Sequence, residues 1–218
     1  MAYNFDKIAL DYDRMNRLMT LGLDLRWRKK AVRGLQGNVL DVACGTGDMV
    51  VSLAERGCMV TGVDISEEML AIAKRKLKSG KWIVADAEHL PFEDEAFDAV
   101  TCAFGVRNFV HLEQGLSEML RVLKPGGAMV ILELATPDSP LVKPFYNLYT
   151  RHIIPWLGQR LAGNREAYTY LPESIERFPK GDAFMEKLPT THYPLPTCIE
   201  RKLTFGVCRM YVINKEAA

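Results

Sequence analysis

Asp41, Asp64 and Asp86 each stand in or at the end of a short apolar run, and Gly45-Thr46-Gly47 follows the first of them with Asp48 directly behind. Carboxylates can hold hydroxyls, amino groups or cations, and a pair of glycines lets a ligand approach the backbone where a Cβ would clash. Gly45 to Val50 reads GxGxxV, so the third glycine of the dinucleotide fingerprint is missing. Asp41 before the loop and Asp48 in the first turn after it would meet a pyrophosphate with negative charge instead of bare backbone donors. A cationic ligand without phosphate suits such a loop better, and S-adenosylmethionine, with its sulfonium and ammonium, is one. Asp64 is placed for ribose hydroxyls, as an acidic residue about 20 positions on is in dinucleotide folds, and Asp86 for an adenine amino group. For any single aspartate the plain alternative is a helix or turn cap.

The elements that must position these residues alternate. Val39, Leu40, Val42 and Ala43 form a buried strand, and Met49, Val50, Leu53 and Ala54 then recur at helical spacing. Cys58 to Val63 gives a second strand, Ser66 caps a helix running to Leu77, and Trp82 to Ala85 gives a third strand. Phe97 to Phe104 is a fourth strand, Leu112 to Leu123 a helix, Lys124 to Gly127 a turn, and Ala128 to Leu134 a fifth strand. This alternation predicts an α/β fold, Rossmann-like and doubly wound, with a mostly parallel sheet. Cys198 to Leu203 and Phe205 to Ile213 are close enough to pair antiparallel at the C-terminus. Ahead of the first strand, Ile8, Tyr12, Met15, Leu18, Met19, Leu23 and Trp27 suggest two amphipathic N-terminal helices around Gly22 that could cover the ligand. Thr136 to Phe178 interrupts the alternation with an aromatic-rich insertion, read as a helical lid.

The chain of 218 residues, 48% hydrophobic and 25% charged, fits one globular domain over residues 1–218. A net charge of +1 gives no general reason to expect a nucleic-acid partner. Five cysteines without a CxxC pair suit buried thiols in a reducing cytosol. The charged N-terminus and the absence of a spanning apolar run predict a cytoplasmic protein, at most peripheral to the inner face of the cell membrane. His89, His111, His152 and His192 are scattered without metal-ligand spacing, so no metal is expected.

Longer motifs carry a resemblance. YDRMNRLMTLGLDLRW (Tyr12 to Trp27), LDVACGTGD (Leu40 to Asp48), GVDIS (Gly62 to Ser66), DAEHLPF (Asp86 to Phe92), FGVRN (Phe104 to Asn108), RVLKPGG (Arg121 to Gly127) and YLPESIERFP (Tyr170 to Pro179) run nearly end to end. The chain resembles the ubiquinone/menaquinone biosynthesis C-methyltransferase family of class I S-adenosylmethionine enzymes. It departs from that pattern at Thr20, where Ser is usual, at Asp24, where His is common, and at Ala103 and Ala135, where Ser occurs.

The resemblance implies S-adenosylmethionine as cofactor, held by Asp41, Gly45, Thr46, Gly47, Asp64, Asp86 and Ala87. It further implies methyl transfer to a ring carbon of a prenylated quinol, demethylmenaquinol first and the ubiquinone precursor as alternative. Arg107, just past the fourth strand, is the catalytic candidate, as stabiliser of a quinol phenolate or as its orienting group; a structural salt bridge is the other reading. Tyr12, Asp13, Tyr146 and Tyr149 are weaker candidates. Leu141, Val142, Phe145, Leu148, Ile153, Ile154, Trp156 and Leu157 either line a channel for the prenyl tail or pack ordinary helices. Since such a quinol resides in a bilayer, weak peripheral membrane contact is expected. Oligomeric state stays open, a homodimer included. Rival readings are a methyltransferase of another small molecule, a non-catalytic cofactor-binding subunit of a quinone-biosynthesis complex, and a dehydrogenase.

Overall fold

The computed structural model describes residues 6, 9–10, 12–154, 172–190 and 196–216. Trp156, Leu157, Tyr168, Tyr170 and His192, and with them part of the expected lid, lie outside the described residues. Two helices, α1 (Tyr12–Thr20) and α2 (Leu23–Ala31), precede the sheet. There follow β1 (Asn38–Val42), α3 (Asp48–Ala54), β2 (Met59–Asp64), α4 (Glu67–Lys76), β3 (Lys81–Val84), β4 (Phe97–Ala103), α5 (Leu112–Arg121) and β5 (Leu123–Leu134). The lid helix α6 (Lys143–Leu148) widens into a π turn over Tyr149–Ile153, residues 172–177 are again helical, and α7 (Asp182–Met185), β6 (Thr197–Leu203) and β7 (Cys208–Asn214) follow.

The seven strands form one sheet in the order β3-β2-β1-β4-β5-β7-β6. β1 to β5 pair in parallel, and β7 runs antiparallel to both β5 and β6, as the C-terminal residues led us to expect. Strand order reverses between β1 and β4, and in open parallel sheets that switch point leaves a crevice at the carboxyl edge where ligands bind. The central strands are apolar on both faces because helices cover both. Val39, Ala99, Val130 and Leu132 pack with Trp27 of α2 and Val50 and Leu53 of α3, while Leu40, Val100, Met129 and Ile131 pack with Leu116, Met119 and Leu120 of α5. Ser66 caps α4 as expected, its hydroxyl accepting from the Met69 N–H at 3.1 Å. No helix among the described residues is long and apolar enough to cross a membrane.

Boundaries differ from the sequence reading in two places with physical causes. Lys124 to Gly127 is not a separate turn but an irregular stretch inside β5, where the pairing with β4 shifts register between Phe97 and Ala99. Gly126 takes a left-handed φ of 77° there, and its N–H still finds the Lys215 carbonyl at 2.7 Å, so the strand carries on. The final strand starts at Cys208, because Thr204–Gly206 forms a 3₁₀ turn with Phe205 at φ 56° and exposed.

Candidate functional site

A cavity of about 810 Å³, open to solvent, lies at the carboxyl ends of β1, β2, β3 and β4. Gly45, Asp64, Asp86 and Ala87 line it, together with Ala43, Ile65, Met69, Phe104, Asn108 and Tyr12 from α1. Asp64 holds the loop shut from below: one carboxylate oxygen accepts from the Gly45 N–H at 2.8 Å and the other from the Ser66 N–H at 3.0 Å. The carboxylate still keeps acceptor capacity for a ligand hydroxyl. Burial pushes the Asp64 carboxyl up from its ordinary range against those hydrogen bonds. One oxygen of Asp86 accepts from the Glu88 N–H at 2.9 Å.

The remaining predicted residues stand behind the wall rather than on it. Asp41 is buried under the loop, with one oxygen accepting from the Thr101 hydroxyl at 2.6 Å and the other without a partner among the described residues. Burial raises its pKa to about 7 against the opposing pull of Thr101 and the Arg28 charge. Gly47 turns at φ 84°, with Ala73 so close that a Cβ would sit 3.0 Å from it. The Thr46 hydroxyl donates to Asp13 of α1 at 2.5 Å.

Asp48 is the one aspartate whose role the sequence misplaced. It accepts from Arg17 at 2.6 Å and from Lys76 at 2.7 Å, and Lys76 reaches Asp13 at 2.5 Å. Burial works to raise the Asp48 pKa, but the Lys76 hydrogen bond and the surrounding cations win and hold it below the usual range. Its charge therefore clamps α1 across the start of α3 instead of facing the ligand. The family departures at Thr20 and Asp24 belong to the same clamp. The Thr20 hydroxyl lies 2.9 Å from an Asp24 carboxylate oxygen, and Asp24, fully buried, pairs with Arg17.

Two left-handed residues shape the cavity mouth. Ala43 directly follows β1 at φ 51° and Phe104 directly follows β4 at φ 63°, costly conformations for residues with a Cβ and of the kind found at ligand sites. Gly105 makes this approach feasible, since a Cβ there would fall 2.7 Å from the Ala43 Cβ and 2.8 Å from the Cys102 sulfur. Glu88, nearly buried, fixes the opposite rim by accepting from the N–H groups of Val110 at 2.6 Å and His111 at 2.8 Å. Gly105 and Glu88 were not singled out from the sequence. A glycine after a strand and a glutamate in a loop have too many uses to be assigned without the contacts.

Arg107 follows Phe104 in this turn. Its guanidinium donates to the Phe104 carbonyl and to Glu133 of β5, each at 2.5 Å, and both side chains of the ion pair are almost wholly buried. Burial raises the Glu133 pKa against the stabilising Arg107 charge. A second cavity, about 900 Å³ with the open space at its mouth included, lies between α1, α2, the lid and the β5 and β7 ends, lined mainly by apolar side chains. Of the expected lid residues, Val142, Phe145 and Ile154 line it, while Leu141, Leu148 and Ile153 are exposed and are not among its lining residues. Tyr146 and Tyr149 line it as well. Burial lifts the Tyr146 phenol to about 12, the Arg107 charge pulling the other way, and the Tyr149 hydroxyl donates to the Leu18 carbonyl at 2.9 Å.

Solved structures share this fold. An S-adenosylmethionine-dependent methyltransferase of Thermotoga maritima superposes with a TM-score of 0.68 at 18% identity, covering 97% of this chain and 98% of that one. Another from Methanococcus maripaludis gives 0.65 at 14% identity over 100% and 97%. Among curated proteins, the demethylmenaquinone methyltransferase of Thermus thermophilus is 43% identical, covering 95% of this chain and 98% of that protein. The protein of the same name in Bacteroides fragilis is 41% identical over 97% and 90%. The ubiquinone/menaquinone biosynthesis C-methyltransferase UbiE of Geobacter sulfurreducens is 41% identical over 97% and 86%. Residues 2–215 match the ubiE/COQ5 methyltransferase family, and with this fold, this strand-end constellation and relatives alike over nearly their whole length, the chain belongs to that family.

Proposed function

We propose that the protein transfers the methyl group of S-adenosylmethionine to a ring carbon of a polyprenylated quinol, with demethylmenaquinol as the acceptor. The observation that carries this reading is a full-length identity of 41–43% to proteins named for that reaction in a chain whose own strand ends form a matching cavity. The residues present fit the cofactor. The orphaned, buried oxygen of Asp41 suits a neighbouring cation, Asp64 has lone pairs for ribose hydroxyls, and Asp86 with Ala87 forms the rim for the adenine. Gly45 leaves the backbone open: among the described residues only Tyr12 of α1 comes within 4 Å of where a Cβ would stand. When bound, S-adenosylmethionine supplies a methyl group already electrophilic on its sulfonium.

The protein then has to align the acceptor, exclude water and favour an electron-rich ring. Phe104, Phe109 and Val110 give the cavity an apolar side from which water is more readily excluded. Arg107 places positive charge beside that side, where it stabilises a phenolate oxygen on the quinol, and Glu133 fixes the guanidinium's direction. Weak contact with the bilayer that holds such quinols is part of this reading.

The test must not leave a buried charge unpaired, since breaking one side of a buried pair costs about 3–5 kcal/mol on its own. Arg107→Met combined with Glu133→Gln removes both charges. Label transfer from S-adenosylmethionine to demethylmenaquinol, and to the ubiquinone precursor in parallel, should fall about 100-fold or more in this variant while cofactor affinity holds. Undiminished turnover would remove Arg107 from the chemistry, and a wild-type preference for the ubiquinone precursor would reassign the acceptor.

A further inference from the structure

Asp41 is not the only buried charged group near the glycine loop with an unsatisfied polar atom. Arg28 belongs to the basic run Arg28-Lys29-Lys30 in the last turn of α2, where cations complement the helix dipole. Lys29 reaches Glu55 at 3.5 Å on the surface, whereas Arg28 turns inward and is 5% exposed. Its guanidinium stacks on Phe104, with Cζ 4.9 Å from the ring centroid, and Phe104 lines the cofactor cavity. Its Nε–H is buried with no acceptor, and the Asp24 carboxylate stands 3.9 Å from that nitrogen, beyond hydrogen-bond reach. Asp24 is already engaged by Arg17 and Thr20. We infer that Arg28 is the counter-charge for the carboxylate at the methionine end of the cofactor, so that Arg28 and Asp41 together seat an α-amino acid zwitterion beside the glycine loop.

Three features support this role. A guanidinium carries five N–H donors in a planar fork that matches a carboxylate, and among the described residues that of Arg28 donates no hydrogen bond. Burying such a group is costly, and an arriving carboxylate relieves that cost. Position is the second feature. The Arg28 charge acts on Asp41, in β1 before the loop, and on Asp48, at the start of α3 behind it, so the guanidinium lies within electrostatic reach of both flanks of Gly45-Thr46-Gly47. Arg28 and Asp41 both stand behind the cavity lining, where a buried charge is screened far less than at the surface. The third feature is the match of signs. S-adenosylmethionine carries an ammonium and a carboxylate on one carbon, and the two unsatisfied atoms here are an acid oxygen of Asp41 and a basic nitrogen of Arg28. Opposite charges at one place distinguish a zwitterion from a bare cation.

This inference rests on S-adenosylmethionine as the cofactor and not on the identity of the acceptor, and binding alone reads it. Decarboxylated S-adenosylmethionine keeps the sulfonium and the ammonium and lacks only the carboxylate. In calorimetric titrations the wild type should bind S-adenosylmethionine about 10- to 100-fold more tightly than the decarboxylated ligand, the range for one charge-assisted contact. Arg28→Met keeps the side-chain bulk and leaves Asp24 paired with Arg17. It should weaken S-adenosylmethionine by that factor and bind the decarboxylated ligand at least as well as the wild type does, so the preference disappears. Arg28→Lys should restore most of it. The wild-type comparison stands even if a variant fails to fold. Equal affinity of the wild type for the two ligands would overturn the inference. So would an Arg28→Met variant that weakens both ligands by the same factor, as loss of a merely structural support for Phe104 would. A wild type that shows the preference yet methylates no quinol would uphold the inference and defeat the proposed acceptor instead.

Discussion

Asp41 has one oxygen on Thr101 and the other buried with no described partner, so its ionised form is costly until a cation arrives. Its folded pKa of about 7 lies above the ordinary 3.8. A raised carboxyl favours folding below the ordinary value and loses that contribution as pH rises through about 7, by up to about 4 kcal/mol at 1.36 kcal/mol per unit. A cationic ligand reverses the sign by favouring the carboxylate. Cofactor affinity is therefore expected to rise from pH 6 to pH 8 with a proton released on binding near pH 7, as calorimetry in buffers of differing ionisation enthalpy would register. Asp41→Asn should abolish the proton release and raise the apoprotein's thermal midpoint more at pH 8 than at pH 5. Affinity flat across that range would contradict the role. At this scale the sequence was informative about which carboxylates matter and misleading about how. Asp64 and Asp86 face the cavity as strand-end spacing suggests, whereas Asp48 is neutralised by Arg17 and Lys76, residues distant along the chain.

The first helix is held by charge rather than by a large apolar face. Within α1, Met15 and Thr20 are buried, and its remaining hold on the sheet is the cluster of Asp13 and Arg17 with Asp48, Lys76 and Thr46. Lys76 alone touches Asp13, Thr46 and Asp48. Lys76→Ala should leave the sheet intact while loosening α1, so amide exchange across residues 12–20 should accelerate and cofactor dissociate faster, with both differences from the wild type shrinking at high salt. Unchanged protection of α1 would show that the cluster is ornamental to its docking. Strands and the Ser66-capped helix were legible because period and capping are local. The Lys124–Gly127 stretch was not, because only its neighbours β4 and Lys215 reveal that a proline-glycine segment continues a strand.

Across the whole molecule, strand order places the crevice between β1 and β4, and two flanking segments, one before the sheet and one after β5, wall off an adjoining apolar space. Alternating apolar runs made the doubly wound architecture readable from the sequence, including the antiparallel C-terminal pair. The second cavity was readable only as an aromatic-rich insertion, since its other half comes from α1, α2 and the Thr204 turn, brought together by packing over long sequence distance. Methyl transfer to a ring carbon leaves both hydroxyls of the quinol free, whereas transfer to oxygen removes one. The most direct measurement is the mass and the count of exchangeable protons of demethylmenaquinol after incubation with the protein and S-adenosylmethionine bearing a trideuterated methyl group. The expected product carries the labelled methyl in place of one ring hydrogen and keeps both hydroxyl protons. A product short of one exchangeable proton, or no labelled quinol at all, would contradict it.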